Sequence, residues 1–196
     1  RIVDDQARAE LVGRGISFGT PSREQLSQHL SQGITLTAID LSAMPELMNS
    51  VNDLAYLLQQ VNPKAVAQAR TYAQSFTSIF GSQVPPSYID LGHFAQLVIQ
   101  STQDQRTIDA GNALLESLDK AVIAERHGPD KPGSTGISIY FPNSQLYTNP
   151  VSGYQSYLGL ASRFSQASLW DEFLACHYTG HNFDASSQTA AVPQQA

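Results

Sequence analysis

Apolar and polar positions alternate along residues 135–142, TGISIYFP, with Ile137, Ile139 and Phe141 on one face and Ser138 and Tyr140 on the other. Glycines lead into this stretch and Pro142 closes it, so the pattern predicts a strand with marked ends. Residues 34–41, ITLTAIDL, predict a second strand, with Ile34, Leu36 and Ala38 on one face. Both strands are framed by helical patterns, and both are expected in one sheet.

Elsewhere the period is helical. Residues 2–12 suggest a short helix, and residues 22–30 another, capped by Ser22 and stopped by Gly33. Ser42 is expected to cap a helix running to about residue 60, with Pro45 in its first turn and an inner face of Leu47, Val51, Leu54, Leu58 and Val61. Residues 63–80 predict a helix facing Val66, Ala69, Tyr72, Ala73, Phe76, Ile79 and Phe80 to a core, ended by Gly81. Asp90 is expected to cap the helix holding Phe94, Leu97, Val98 and Ile99. A further helix is predicted over residues 106–125, through Ile108, Leu115, Leu118 and Val122. The polar stretch 126–134, RHGPDKPGS, reads as an exposed loop. Two closing helices are predicted at 154–164 and at 169–178, the latter capped by Ser168 and anchored by Trp170, Phe173 and Leu174 at i, i+3 and i+4. From residue 184 the core pattern stops, which predicts one domain over residues 1–183 and a loose tail over 184–196.

With 196 residues, 41% of them hydrophobic, the chain can build a real core. The net charge of −6 and the lack of any basic cluster argue against nucleic acid and anionic membranes as partners. No apolar run reaches the ~18 residues of a membrane span. Abundant Gln, Ser, Ala and Thr with scarce Lys suggest a bacterial extracellular or cell-envelope protein.

Candidate chemistry is sparse. Cys176 is the single cysteine, so neither an intrachain disulfide nor a multi-cysteine zinc site can form. It is adjacent to His177, and helix neighbours point about 100° apart, which does not make a dyad. At the end of WDEFLAC it fits a buried apolar thiol. His177 and His181 are spaced i, i+4, but Gly180 stands between them, and no HExxH glutamate or third ligand accompanies them. His29 is expected to face solvent, His93 to organise a helix start, and His127 to sit in the exposed loop. Ser138 is expected to be a strand residue, because Tyr140 stands where a nucleophile elbow needs glycine. No residue is assigned as catalytic or metal-binding from this pattern, and none as substrate-binding.

Three segments taken in order resemble the C-terminal part of the clostripain-like cysteine peptidases. They are ITLTAIDLSAMPELMNSVNDLAYLL at 34–58, SYIDLGHFAQLV at 87–98, and the run from AVIAERHG through GISIYFP to LWDEFL at 121–174. The resemblance implies a helix-rich α/β fold. In it this chain would form part of a caspase-like α/β/α sandwich with a C-terminal helical subdomain, the N-terminal catalytic part being absent. It implies a His base and a Cys nucleophile in His-Gly and Asp-Ala-Cys contexts, and neither maps here. His127-Gly128 lies too far downstream, and Leu174-Ala175 precedes Cys176. The chain is then the non-catalytic structural and substrate-cleft region of an endopeptidase that cleaves after basic residues when whole. Its implied partners are the N-terminal catalytic segment and a peptide or protein substrate. No cofactor is expected in this chain, although the resemblance allows calcium in the whole enzyme. A stand-alone helical binding module and a degenerate, inactive peptidase homologue are the alternatives.

Overall fold

The computed structural model describes residues 22–76 and 86–183. The helix expected at 2–12, the end of the one expected at 63–80 and the tail from 184 lie outside the described residues. In chain order the elements are α1 (Arg23–Gly33), β1 (Thr35–Ile39), a 3₁₀ turn (Leu41–Ala43), α2 (Met44–Leu58), α3 (Pro63–Tyr72), β2 (Ser75–Phe76), β3 (Tyr88–Asp90) and α4 (Leu91–Ser101). They continue with α5 (Gln105–Ala121), β4 (Val122–His127), β5 (Ser138–Tyr140), α6 (Ser144–Tyr147), α7 (Tyr154–Leu160), α8 (Ser162–Ala167) and α9 (Trp170–Thr179). The architecture is helix-rich α/β.

Short polar side chains set the helix starts by accepting amide hydrogens that have no partner in the first turn. Asp40, rather than Ser42, does this before α2: its carboxylate accepts from the Ser42 amide at 2.8 Å and the Ser42 hydroxyl at 2.7 Å, which winds the 3₁₀ turn leading into the helix. Asn62 caps α3 through the Lys64 amide at 2.9 Å, with Pro63 in the first turn. Asp90 caps α4 through the His93 amide, as expected. The predicted inner face of α2 is buried throughout. Across it runs α5, and the hydroxyls of Ser50 and Ser117 meet at 2.8 Å in the dry interface. Each gives the other the partner that burial demands.

Two helices are shorter than the pattern implies. α3 stops at Tyr72, because Ala73 takes an extended conformation and the chain turns into β2. Tyr72 is consequently 69% exposed, and Phe76 belongs to a strand. α5 stops at Ala121, and residues 122–127 form β4. The stretch 154–164 divides into α7 and α8 at Ala161, and Ser168 holds the start of α9 only by a long bond from the Trp170 amide, 3.4 Å.

The described strands form two sheets. β1 pairs antiparallel with β4 in a ribbon, Leu36 opposite Arg126 and Ala38 opposite Ala124. β3 lies between β2 and β5, both antiparallel, with Ile89 opposite Ile139. The single sheet expected to hold residues 34–41 and 136–142 is therefore corrected. β4 follows directly from α5 and takes the pairing edge of β1, and Gly136 then turns the chain away. Its φ of +111° is a left-handed conformation, and a Cβ there would stand 3.0 Å from Thr37 and 3.1 Å from Val122. Only glycine meets both demands without strain. β5 thus leaves the ribbon and pairs with β3.

The core centres on β5 and α9. Trp170 is fully buried, its ring edge-on to Phe94 and Phe141, and Phe173 and Leu174 lie beside it. Ile139 and Tyr140 of β5 are both buried, as is Phe141 just after it. The ribbon is different. Ile34, Leu36 and Ile123 are exposed, Leu36 by 73%, so its apolar outer face stands in water.

Candidate functional site

Cys176 ends up inside α9, buried, with its thiol pushed up by desolvation. Its hydrogen-bond partner is the Asn182 side-chain oxygen at 3.6 Å. The neighbouring His177 turns its ring into the aromatic core, edge-on to Phe141 at 5.2 Å and beside Phe173 and Tyr178. Burial lowers the basicity of that imidazole, and the Arg70 cation lowers it further. Thiol and imidazole are therefore two separate packing groups, and neither is prepared for nucleophilic chemistry, which needs a thiolate beside a base. His181 is exposed beyond Gly180, which ends α9 at φ +77°. The i, i+4 histidines do not share a helix.

Arg70 of α3 carries a role the sequence did not signal. Its Nε donates to the Phe141 carbonyl at 3.1 Å and its Nη2 to the Pro86 carbonyl at 2.7 Å. The Tyr178 hydroxyl donates to the next carbonyl, Pro142. Together they fasten α3 and α9 to the end of β5, where the backbone leaves its ladder with carbonyls to satisfy.

Asp90 forms a second polar centre. It is fully buried, and besides capping α4 it accepts from the Thr135 amide at 2.7 Å and the Thr135 hydroxyl at 2.5 Å. His93 adds to it: Nδ1 accepts from the Gln74 amide at 3.0 Å, which puts a neutral ring's proton on Nε2. His93 thus ties the start of α4 to the residue that leads into β2.

Thr135 also borders an open cleft of about 600 Å³ between α4, α5 and β4. Gln96, Asn112, Glu116, Asp119 and Glu125 share its lining, which holds three carboxylates and no basic side chain. The cleft suits a cationic or hydrogen-bonding group. At its edge His127 is not in a loop but at the end of β4, its Nδ1 bonded to the Glu125 carboxylate at 2.9 Å. The loop that follows is less exposed than its polarity implies, since Gly128 and Ser134 are buried against neighbouring backbone. The side chain of His29 lies outside the described part of the structure.

Among the described residues no three His, Cys, Asp or Glu side chains gather as a metal site. No described helix is long and apolar enough to cross a membrane. Ser138 lies in β5, opposite Asp90.

No curated protein and no solved structure matches the chain. The family model of the clostripain family matches residues 3–176, nearly the whole of it. The resemblance carried by 34–58, 87–98 and 121–174 falls inside that match, and the chain belongs to the clostripain family of cysteine peptidases.

Proposed function

We propose that this chain is the non-catalytic C-terminal region of a clostripain-family cysteine endopeptidase, buttressing the sheet and flanking the substrate cleft of the whole enzyme. The observation that carries the reading is the state of Cys176. The only thiol in the chain is buried, held protonated by desolvation and bonded to an amide oxygen, with the adjacent imidazole turned into the core. A peptidase nucleophile needs the opposite environment. The reactive His and Cys of the family are then supplied by an N-terminal catalytic segment of the same protein.

The ribbon supports this division of labour. A two-stranded ribbon is marginal by itself, and an apolar face in water invites a covering element. Ile34, Leu36 and Ile123 would be covered by the catalytic segment, which would extend the ribbon into a caspase-like α/β/α sandwich. The acid-lined cleft beside β4 favours substrates with basic residues, in keeping with cleavage after Arg or Lys. The composition favours a bacterial extracellular or envelope setting.

The test is hydrolysis of Arg- and Lys-ended chromogenic peptides by the 196-residue chain and by the longer protein that carries it. Turnover by the longer protein alone is the expected result. Turnover by the isolated chain would overturn the assignment.

A further inference from the structure

Three consecutive backbone carbonyls at the end of β5 are each met by a side chain. The Trp170 indole donates to Tyr140 at 2.7 Å, the Arg70 Nε to Phe141 at 3.1 Å, and the Tyr178 hydroxyl to Pro142. Two of the three donors are neutral, which shows that capturing a carbonyl here does not require a charge. Arg70 brings one nonetheless, and with it more donors than the carbonyls use. A guanidinium has five N–H groups in a planar fork. One N–H on Nε and one on Nη2 are spent on Phe141 and Pro86, so three remain, and both of those on Nη1 are among them.

The charge is unpaired as well. The chain carries 17 Asp and Glu, yet among the described residues none lies within ion-pair distance of Arg70. The ionisable side chains acting with it are Tyr178 and His177, a phenol and an imidazole, and neither supplies an anion at neutral pH. The side chain is half-buried, so its charge is partly stripped of water while an edge stays open to the outside. A partly buried cation without a counter-charge is costly to hold, and a pinned guanidinium spends little further entropy on binding.

We propose that Arg70 is a carboxylate-binding site at the end of β5, with Nη1 and the remaining Nη2 N–H gripping the two oxygens of one carboxylate. The planar fork matches two coplanar oxygens, and the bonds to Phe141 and Pro86 hold it in place before the anion arrives. The carboxylate comes either from a small molecule or from another segment of the longer protein. The chemistry is the same in both cases, and it does not depend on the peptidase reading.

The test is ¹⁵N NMR of the arginine side chains in the full 196-residue chain, titrated with sodium acetate and separately with sodium chloride at equal ionic strength. The Arg70 signals are assigned through bonds, so the titration does not depend on a variant folding. They should shift saturably in acetate and stay nearly still in chloride. The His177 ring protons serve as a second reporter: in Arg70→Lys, which keeps the charge and loses the fork, acetate should act on them at least tenfold more weakly. The longer protein separates the two sources. A saturable acetate shift there means that a small carboxylate enters, and Arg70 signals already displaced and insensitive to acetate mean that the protein's own carboxylate fills the site. Arg70 signals in the 196-residue chain that move no more in acetate than in chloride would overturn the proposal. So would an undiminished response in a folded Arg70→Lys, or an Arg70 in the longer protein that is neither displaced nor responsive.

Discussion

The indole N–H of Trp170 donates to the carbonyl oxygen of Tyr140 at 2.7 Å, so the first turn of α9 is hydrogen-bonded to β5 inside the core. The carbonyl on the β5 side has no water to turn to, and the indole fills the space between Phe94 and Phe141. Trp170→Ala removes both the ring and the donor and should destabilise the chain by about 3–5 kcal/mol. Trp170→Phe keeps most of the packing but orphans the Tyr140 carbonyl, at about 1–3 kcal/mol. Urea unfolding of the three proteins measures both. Equal stability of wild type and Trp170→Ala would remove Trp170 from the anchor.

Gly136 is the point where the chain passes from the ribbon to the three-stranded sheet. Gly136→Ala combines a left-handed backbone with a Cβ placed 3.0 Å from Thr37 and 3.1 Å from Val122. The expected loss is about 1–3 kcal/mol. Amide exchange should show it as faster opening of β1 and β4, with α2 and α9 little changed.

Helix faces were legible because their information is local. Trp170, Phe173 and Leu174 at i, i+3 and i+4, and the row from Leu47 to Leu58 in α2 with Val61 beyond it, are all buried as their spacing implies. Strand partners were not, since pairing joins residues far apart in sequence. β4 was hidden more thoroughly: Val122 continues the phase of Leu115 and Leu118, no glycine or proline intervenes, and VIAERH reads on as helix although it pairs with β1. Asp90 shows both outcomes in one residue. Its capping of His93 could be read from the spacing, whereas its bonds to Thr135, far along the chain, could not. Arg70 gave no signal, because its partners are backbone carbonyls.

His177 links stability to pH. Burial, then the Arg70 charge, hold its basicity below the ordinary value of 6.5, so the folded chain resists a proton that the unfolded chain accepts. No stability is lost to it above that value, and stability falls as pH drops below 6.5. His177→Phe should abolish this part of the slope. The informative quantity is the difference between wild-type and variant profiles. Parallel profiles would show that His177 does not carry the effect.

The most direct measurement is kcat/KM of the whole enzyme and its Cys176→Ala variant on Arg- and Lys-ended chromogenic peptides, with folding of both checked by thermal unfolding. The buried thiol in α9, pushed up by desolvation, predicts unchanged turnover in the variant, because on the proposed reading the nucleophile is supplied by a separate catalytic segment. Abolished turnover by a folded Cys176→Ala enzyme would contradict this and make Cys176 the nucleophile.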